Sequence, residues 1–239
     1  GQLSEILSAR KLPNVRHQTD AYGVRIVMYH LRNLTKLGRH ALRRLNRPAP
    51  PVREHPRLSH LGTPYGGWYF VDCESVRGGK ILSAGLGEDA SFDVELAQRL
   101  GCEILIVDPT PLAVAHFELI IRNLGASATS PYAYGGVQPI SSYQLSNLNK
   151  SSLKLIEKAL AGSDGSVRMY TPANPAHNSY STTDWERKRQ KKAEFIEVPA
   201  TTYSQLVDQF LDGNPPPLIK LDIEGAELEV LPDVLSRPP

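Results

Sequence analysis

The sequence predicts an α/β fold built on a doubly wound parallel sheet, and three features predict it. From Lys80 onward, strand-like apolar runs alternate with helix-like segments. The first of those runs passes directly into Gly85-Leu86-Gly87 and then a helix. The continuous runs at 103–107 and 217–221 each stop at an aspartate, Asp108 and Asp222. Uninterrupted apolar runs suit strands covered on both faces, and β-α-β order implies parallel pairing through right-handed crossovers.

Each element follows from its residues. Residues 80–84 (KILSA) form a short strand that stops at Gly85. Asp89 is the expected N-cap of the next helix, Phe92, Leu96 and Leu100 share its buried face, and Gly101 stands at its C-cap. Residues 103–107 (EILIV) form the second strand. Thr110 then caps, Pro111 takes the first helical position, and 112–124 continue helically to Gly125, the usual asymmetry of helix ends. Residues 127–132 are expected as a third strand, 151–161 as a short helix ended by Gly162, and 167–170 as another strand. Residues 171–192 read as a loop carrying Arg187-Lys188-Arg189-Gln190-Lys191-Lys192. A strand over 194–198, a helix over 203–211 and the strand over 217–221 complete the series.

Ahead of this body the composition shifts. Residues 1–60 carry 12 Lys+Arg against 3 Asp+Glu, whereas the remaining 179 carry 15 against 22. Residues 24–45 set Val27, Leu31, Leu34, Ala41, Leu42 and Leu45 at helical spacing among Arg25, Arg32, Lys36, Arg39 and Arg43, a basic amphipathic helix. Such a helix ordinarily packs on a neighbour with its basic face solvated. Its sharper use is peripheral contact with an anionic membrane or nucleic acid. Arg47-Pro48-Ala49-Pro50-Pro51 is a stiff linker. The chain therefore divides into a basic extension over 1–59 and a folded body over 60–239.

Several classes are excluded. No run approaches the ~18 apolar residues of a membrane span. Two cysteines, Cys73 and Cys102, rule out a disulfide-dense scaffold and a four-cysteine zinc site. Without HxxxH or HExxH spacing no metal site is expected, and without GxSxG or a Walker loop neither a serine hydrolase nor a P-loop enzyme is. The 187–192 run reads as a solvated loop, which disfavours nucleic-acid binding. Asn33-Leu34-Thr35 and Asn149-Lys150-Ser151 are glycosylation triplets that matter only in a secretory lumen. With Gly rather than Met at residue 1, an anchor removed upstream fits as well as a cytoplasmic protein. Compartment and oligomeric state stay open.

Three constellations carry chemistry. Gly85-Leu86-Gly87 lies between strand and helix, where glycines permit a tight turn and close approach of a ligand, and the helix offers free N–H groups. Ala90 stands where GxGxxG needs its last glycine, so a tight turn without a ligand is the alternative. Asp108 ends the next strand, 21 residues after Gly87, where doubly wound folds place a carboxylate on ribose hydroxyls. Its plain alternative is a capping aspartate ahead of Pro109. In Lys220-Leu221-Asp222-Ile223-Glu224-Gly225, alternation sends Lys220 and Asp222 to one face and sets Asp222 and Glu224 at the strand's carboxyl rim. Two carboxylates there could deprotonate a hydroxyl or hold a cation. The alternative is that Glu224 and Glu227 serve the N-terminus of the next helix.

With KILSAGLGEDASFD (80–93), ILIVDPTP (104–111) and IKLDIEGAELEVL (219–231), the sequence resembles the FkbM family of S-adenosylmethionine-dependent methyltransferases. The last segment is the most specific, similar to the family's Lys-x-Asp-x-Glu-Gly-x-Glu signature. The resemblance runs from HLGTPYGGW at His60 to Leu231. It implies a Rossmann-like sheet of the class I methyltransferase type, with S-adenosyl-L-methionine as cofactor. By that resemblance Gly85 and Gly87 lie against the methionyl part, Asp108 binds the ribose, and Tyr132 or Ala133 borders the adenine. Leu86, Asp89, Ser91, Phe92 and Pro109 complete the implied cofactor set. Asp222, Glu224 and Lys220 face the methyl-transfer region, one of the two carboxylates acting as base, with His177 of loop 171–183 as an outside candidate. The implied reaction is O-methylation, with a small-molecule or glycan acceptor offering a hydroxyl on a sugar or related metabolite.

Two positions depart from the family pattern: Ser83 replaces an acidic residue of the first strand, and Asp89 replaces a later glycine of the turn. The sheet type needs further strands beyond the one ending at Asp222, so the domain over 60–239 is expected to be C-terminally incomplete. Those features favour the alternative function, a catalytically inactive methyltransferase-fold module for binding or interaction. A nicotinamide-dependent oxidoreductase ranks behind both, because the GxGxxG spacing fails.

Overall fold

The structure is a computed structural model that describes residues 56–171, 180 and 194–238. The basic 24–45 helix, the proline-rich linker, His177 and the 187–192 run lie outside the described residues.

The chain opens with an antiparallel pair, β1 (Leu58–Leu61) and β2 (Trp68–Val71). Then come β3 (Lys80–Ala84), α1 (Ser91–Leu100), β4 (Glu103–Val107) and α2 (Pro111–Arg122). After a 3-10 turn at Ile140–Ser142 follow β5 (Leu153–Ile156), β6 (Ala159–Leu160), β7 (Gly165–Tyr170) and β8 (Phe195–Thr201). The series ends with α3 (Tyr203–Phe210), β9 (Ile219–Leu221) and α4 (Glu227–Ser236).

Strands β5, β4, β3 and β9 make one sheet in that order, all parallel. Strand alternation gives it two apolar faces. Ile81, Ile104 and Ile106 pack with Phe92, Leu96, Phe117 and Ile120 from α1 and α2. Leu82, Ala84, Leu105 and Val107 pack with Leu206, Val207, Val230 and Val234 from α3 and α4. Helices therefore cover both faces, which is why β3 and β4 read as unbroken apolar runs. The chain leaves β3 toward β4 on one side and later returns as β9 on the other, so the strand order reverses beside β3. Such a reversal opens a crevice at the carboxyl ends of the strands. Strands β6, β8 and β7 form a separate sheet in that order, with a small core of Ala159, Met169 and Val198.

Three expectations are corrected. Residues 151–161 form strands β5 and β6 rather than a helix. Leu153 and Ile156 satisfy a helical spacing, but four residues are too few to separate the two periods, and pairing with β4 decides: Ile104–Val107 run in register with Leu153–Ile156. Residues 127–132 are not a strand. Ser141 O accepts from the amides of both Thr129 and Ser130, and Gln144 Oε1 accepts from Ala128 N. Pro131 offers no N–H, so no ladder forms. Asp89 is not the N-cap of α1. Ala90 holds that position, although Asp89 Oδ1 still accepts from Ser91 N at 3.0 Å.

The start of α2 and the end of α1 stand as the sequence indicates, whereas α2 ends at Arg122 with Asn123 as its C-cap, short of the expected Gly125. Thr110 precedes Pro111 at the start of α2, and Gly101 closes α1 in the left-handed conformation.

Candidate active site

A cleft of about 270 Å³ opens at the carboxyl ends of β3, β4 and β9, the point where the strand order reverses. Three loops floor it. The β3–α1 loop supplies Gly85, Leu86, Gly87, Glu88 and Asp89, the β4–α2 loop Asp108, Pro109 and Thr110, and the β9–α4 loop Asp222, Ile223 and Glu224. Tyr65 and Gly66 close one side, and Leu160, Met169 and Tyr180 the apolar other.

The two glycines have different reasons. Gly85 has φ +87°, and a Cβ there would fall on the carbonyl oxygen of Asp222. The β3 loop can therefore lie against the β9 loop only with glycine at this position. Gly87 has φ +58° and open space where its Cβ would stand. Gly87 also lines the cleft, so a glycine here leaves room beside a ligand.

Asp108 is nearly buried and fully engaged. Its Oδ2 accepts from Leu86 N at 2.8 Å and Gly87 N at 3.1 Å, and its Oδ1 accepts from Thr110 N at 2.8 Å and Thr110 Oγ1 at 2.7 Å. Four donors match the roughly four lone-pair sites of a carboxylate. A ribose hydroxyl would have to replace one of them, and the bond from Gly87 is the longest.

Beyond β9, Asp222 N bonds to Ala84 O at 2.9 Å, which carries the turn over the cleft. Glu224 has φ +52°, a left-handed conformation uncommon outside glycine. The last Glu of the signature explains it. Glu227 accepts from Ile223 N at 3.2 Å and Gly225 N at 2.9 Å, which braces the turn from both sides of Glu224 and presents that residue to the cleft. Burial pushes the Asp222 carboxyl above its ordinary range. The Lys220 charge opposes the shift, while Glu227, Asp93 and Asp108 add to it.

Lys220 shares the buried face of β9 and its Nζ donates to Gly85 O at 2.5 Å. The ammonium lies 3.9 Å from Asp93 Oδ2 and 6.0 Å above the Trp68 ring. Ser83, beside Lys220 in the parallel register, is wholly buried. Neither its hydroxyl nor either oxygen of Asp93 has a hydrogen-bond partner among the described residues. Burial raises the Asp93 carboxyl, opposed chiefly by Lys220.

Asp89 ties the cleft wall together. Its Oδ2 accepts from Thr63 Oγ1 at 2.6 Å and from Gln138 Nε2 at 3.3 Å. Thr63 Oγ1 in turn takes the Gly66 N–H at 2.9 Å, fixing the strand-to-strand turn that carries Tyr65. The carboxylate replaces backbone flexibility with a fixed network.

The structure thus brings Gly85, Leu86, Gly87, Asp89, Asp108, Pro109, Lys220, Asp222 and Glu224 to one cleft. Ser91 and Phe92 do not line it. Ser91 Oγ accepts from Thr63 N at 2.8 Å, and Phe92 packs edge-on against Phe70. Tyr132 and Ala133 do not line it either. Tyr132 packs against Tyr143, and Ala133 N bonds to Gln138 Oε1. Sequence reasoning missed Thr63, Gln138 and Asp93, and it named Glu227 only as serving the next helix. Among the described residues no group of three or more His, Cys, Asp or Glu side chains could hold a metal, and no helix is long and apolar enough to cross a membrane.

A parallel sheet with a glycine-floored, carboxylate-rimmed cleft at its reversal point defines an α/β protein of the class that places its ligand crevice at the carboxyl ends of the strands. The family model described as Methyltransferase FkbM domain matches residues 83–237, and the chain belongs to that family. Neither a curated protein nor a solved structure matches it.

Proposed function

We propose that this methyltransferase uses S-adenosylmethionine to methylate a hydroxyl of a sugar or a related small metabolite. The supporting observation is that Asp222 and Glu224 stand in the same cleft as the Gly85–Gly87 loop and Asp108. The cleft fits the cofactor's chemistry. Glu88, Asp89, Asp108, Asp222 and Glu224 line it against Lys220, the one cation of the lining among the described residues, which suits a sulfonium-bearing ligand. Open space above Gly87 leaves room for its amino-acid end.

Bound there, S-adenosylmethionine supplies an electrophilic methyl group. Gly85 and Gly87 would hold the methionyl end, and Asp108 would take the ribose in place of its bond from Gly87. The chain's main task is alignment of the acceptor oxygen with the methyl carbon. Asp222 or Glu224 would take the hydroxyl proton of the acceptor as its oxygen is methylated. Desolvation makes Asp222 the more basic choice than an exposed carboxylate.

Calorimetric titration with S-adenosylmethionine and S-adenosylhomocysteine, beside Asp108→Ala, tests the cofactor. Micromolar binding lost in the variant supports the reading, and absence of binding by the unaltered chain sinks it. With an acceptor in hand, Glu224→Gln and Asp222→Asn are expected to cut turnover about 10²- to 10⁴-fold in whichever holds the base, with little change in cofactor affinity. Unchanged turnover in both removes the base role.

A further inference from the structure

We propose that the Gly85–Leu86 peptide group is clamped between Lys220 and Asp108, and that the signature lysine is a positioning residue that presets the cleft through this clamp. The carbonyl oxygen of that peptide accepts from Lys220 Nζ at 2.5 Å, and its N–H donates to Asp108 Oδ2 at 2.8 Å. A cation at the oxygen and an anion at the N–H polarise one peptide in the same sense, so each bond strengthens the other.

The clamp sits beyond the reach of the sheet's own ladder. The last rungs beside it are Gly85 N to Val107 O at 3.0 Å and Asp222 N to Ala84 O at 2.9 Å. One step further, the backbones diverge into loops, and the Lys–peptide–Asp line spans the same three strand ends with side chains. It fixes the direction of the Leu86 and Gly87 N–H groups, both of which meet Asp108.

Asp93 completes the device from behind. It is wholly buried, and neither of its oxygens has a hydrogen-bond partner among the described residues, yet Oδ2 lies 3.9 Å from the ammonium. At that distance it acts as a counter-charge rather than an acceptor. An ammonium on a buried face requires one. Trp68 lies beneath the same ammonium at 6.0 Å.

The test is amide exchange of the ligand-free protein, with Lys220→Met and the double variant Lys220→Met/Asp93→Asn. The single variant strands a buried carboxylate and is expected to lose stability. The double variant removes both charges together and is expected to regain it. In the double variant the Leu86 and Gly87 amides should still exchange at least about tenfold faster than in the unaltered chain, the scale of a lost charge-assisted hydrogen bond. Amides of α3 and α4 should keep their rates. Unaltered exchange at Leu86 and Gly87 in the folded double variant overturns the clamp, as does an unprotected Leu86 amide in the parent. If the double variant does not fold, Lys220→Arg, which keeps the charge and moves the donor, must speed the same two amides, and no change there overturns it equally. A second arm, an expected tenfold or greater loss of S-adenosylhomocysteine affinity in the double variant, rests on the methyl-donor reading. The exchange arm needs no ligand, so the two failures are distinguishable.

Discussion

Gly85 and Gly87 share a left-handed backbone but differ in what surrounds them, and that difference is measurable. An alanine methyl at Gly85 would meet the Asp222 carbonyl, a backbone group that can yield only by separating the β3 and β9 loops. Gly85→Ala is expected to cost about 2 kcal/mol or more, combining backbone strain with the collision. At Gly87 nothing stands within 4 Å of the added carbon. Gly87→Asn, with a residue that tolerates this conformation, should cost about 1 kcal/mol or less. It would add a side chain at a position that lines the cleft, so cofactor affinity should fall at least about tenfold, a penalty of ~1.4 kcal/mol. Urea unfolding and calorimetry on the two variants separate the roles. Equal stability losses would show that the Asp222 contact does not distinguish them.

At the scale of elements, one buried hydrogen-bond chain joins α2, the turn after Ile140–Ser142 and the start of α1. Tyr143 Oη accepts from Ala90 N at 3.0 Å and lies 2.8 Å from His116 Nε2. Which of the two donates follows from the imidazole tautomer. Burial holds that imidazole below its ordinary range. The unfolded chain thus takes up the proton more readily. Stability from this group is present above about pH 6.5 and is lost as pH falls through the depressed folded value. Denaturant melts between pH 7.5 and 5 should show this loss, and His116→Gln should flatten it. Parallel curves for the two proteins would remove His116 from the acid limb.

The same scale shows what the sequence made legible. Strands β3 and β4 were readable because burial on both faces leaves an unbroken apolar run, and α2 because Thr110-Pro111 marks its start. Strand β5 was not, since Leu153-Lys154-Leu155-Ile156 carries both periods and only its pairing with β4 chooses. The cleft's two halves were legible as Gly85-Leu86-Gly87 with Asp108 and as the Asp222–Glu224 motif. Their supports were not, because Thr63 to Asp89 and Lys220 to Asp93 are contacts between residues far apart in sequence, created only by the fold. Tyr132 and Ala133 were placed by resemblance alone, and no local pattern spoke for or against them.

For the whole molecule the relevant quantity is the summed field at the cleft. Residues beyond 60 carry 22 acidic against 15 basic side chains, and five carboxylates line the cleft against Lys220, whose ammonium is already turned to Gly85 O. A field of this sign favours a cationic ligand and distinguishes two ligands of nearly equal shape. S-adenosylmethionine carries a sulfonium that S-adenosylhomocysteine lacks, and the rest of their contacts should be alike. Added salt screens the sulfonium's attraction to carboxylates at a distance, because the Debye length shrinks from about 10 Å at 0.1 M to about 3 Å at 1 M. Affinity for S-adenosylmethionine should therefore fall more steeply with salt than affinity for S-adenosylhomocysteine. Paired titrations at low and high salt measure the ratio directly, and shared effects on the protein cancel from it. A ratio independent of salt would mean that the carboxylates act on the sulfonium only at contact range. A ratio that falls toward equality with added salt would make the acidity of the body part of how the cleft chooses donor over product.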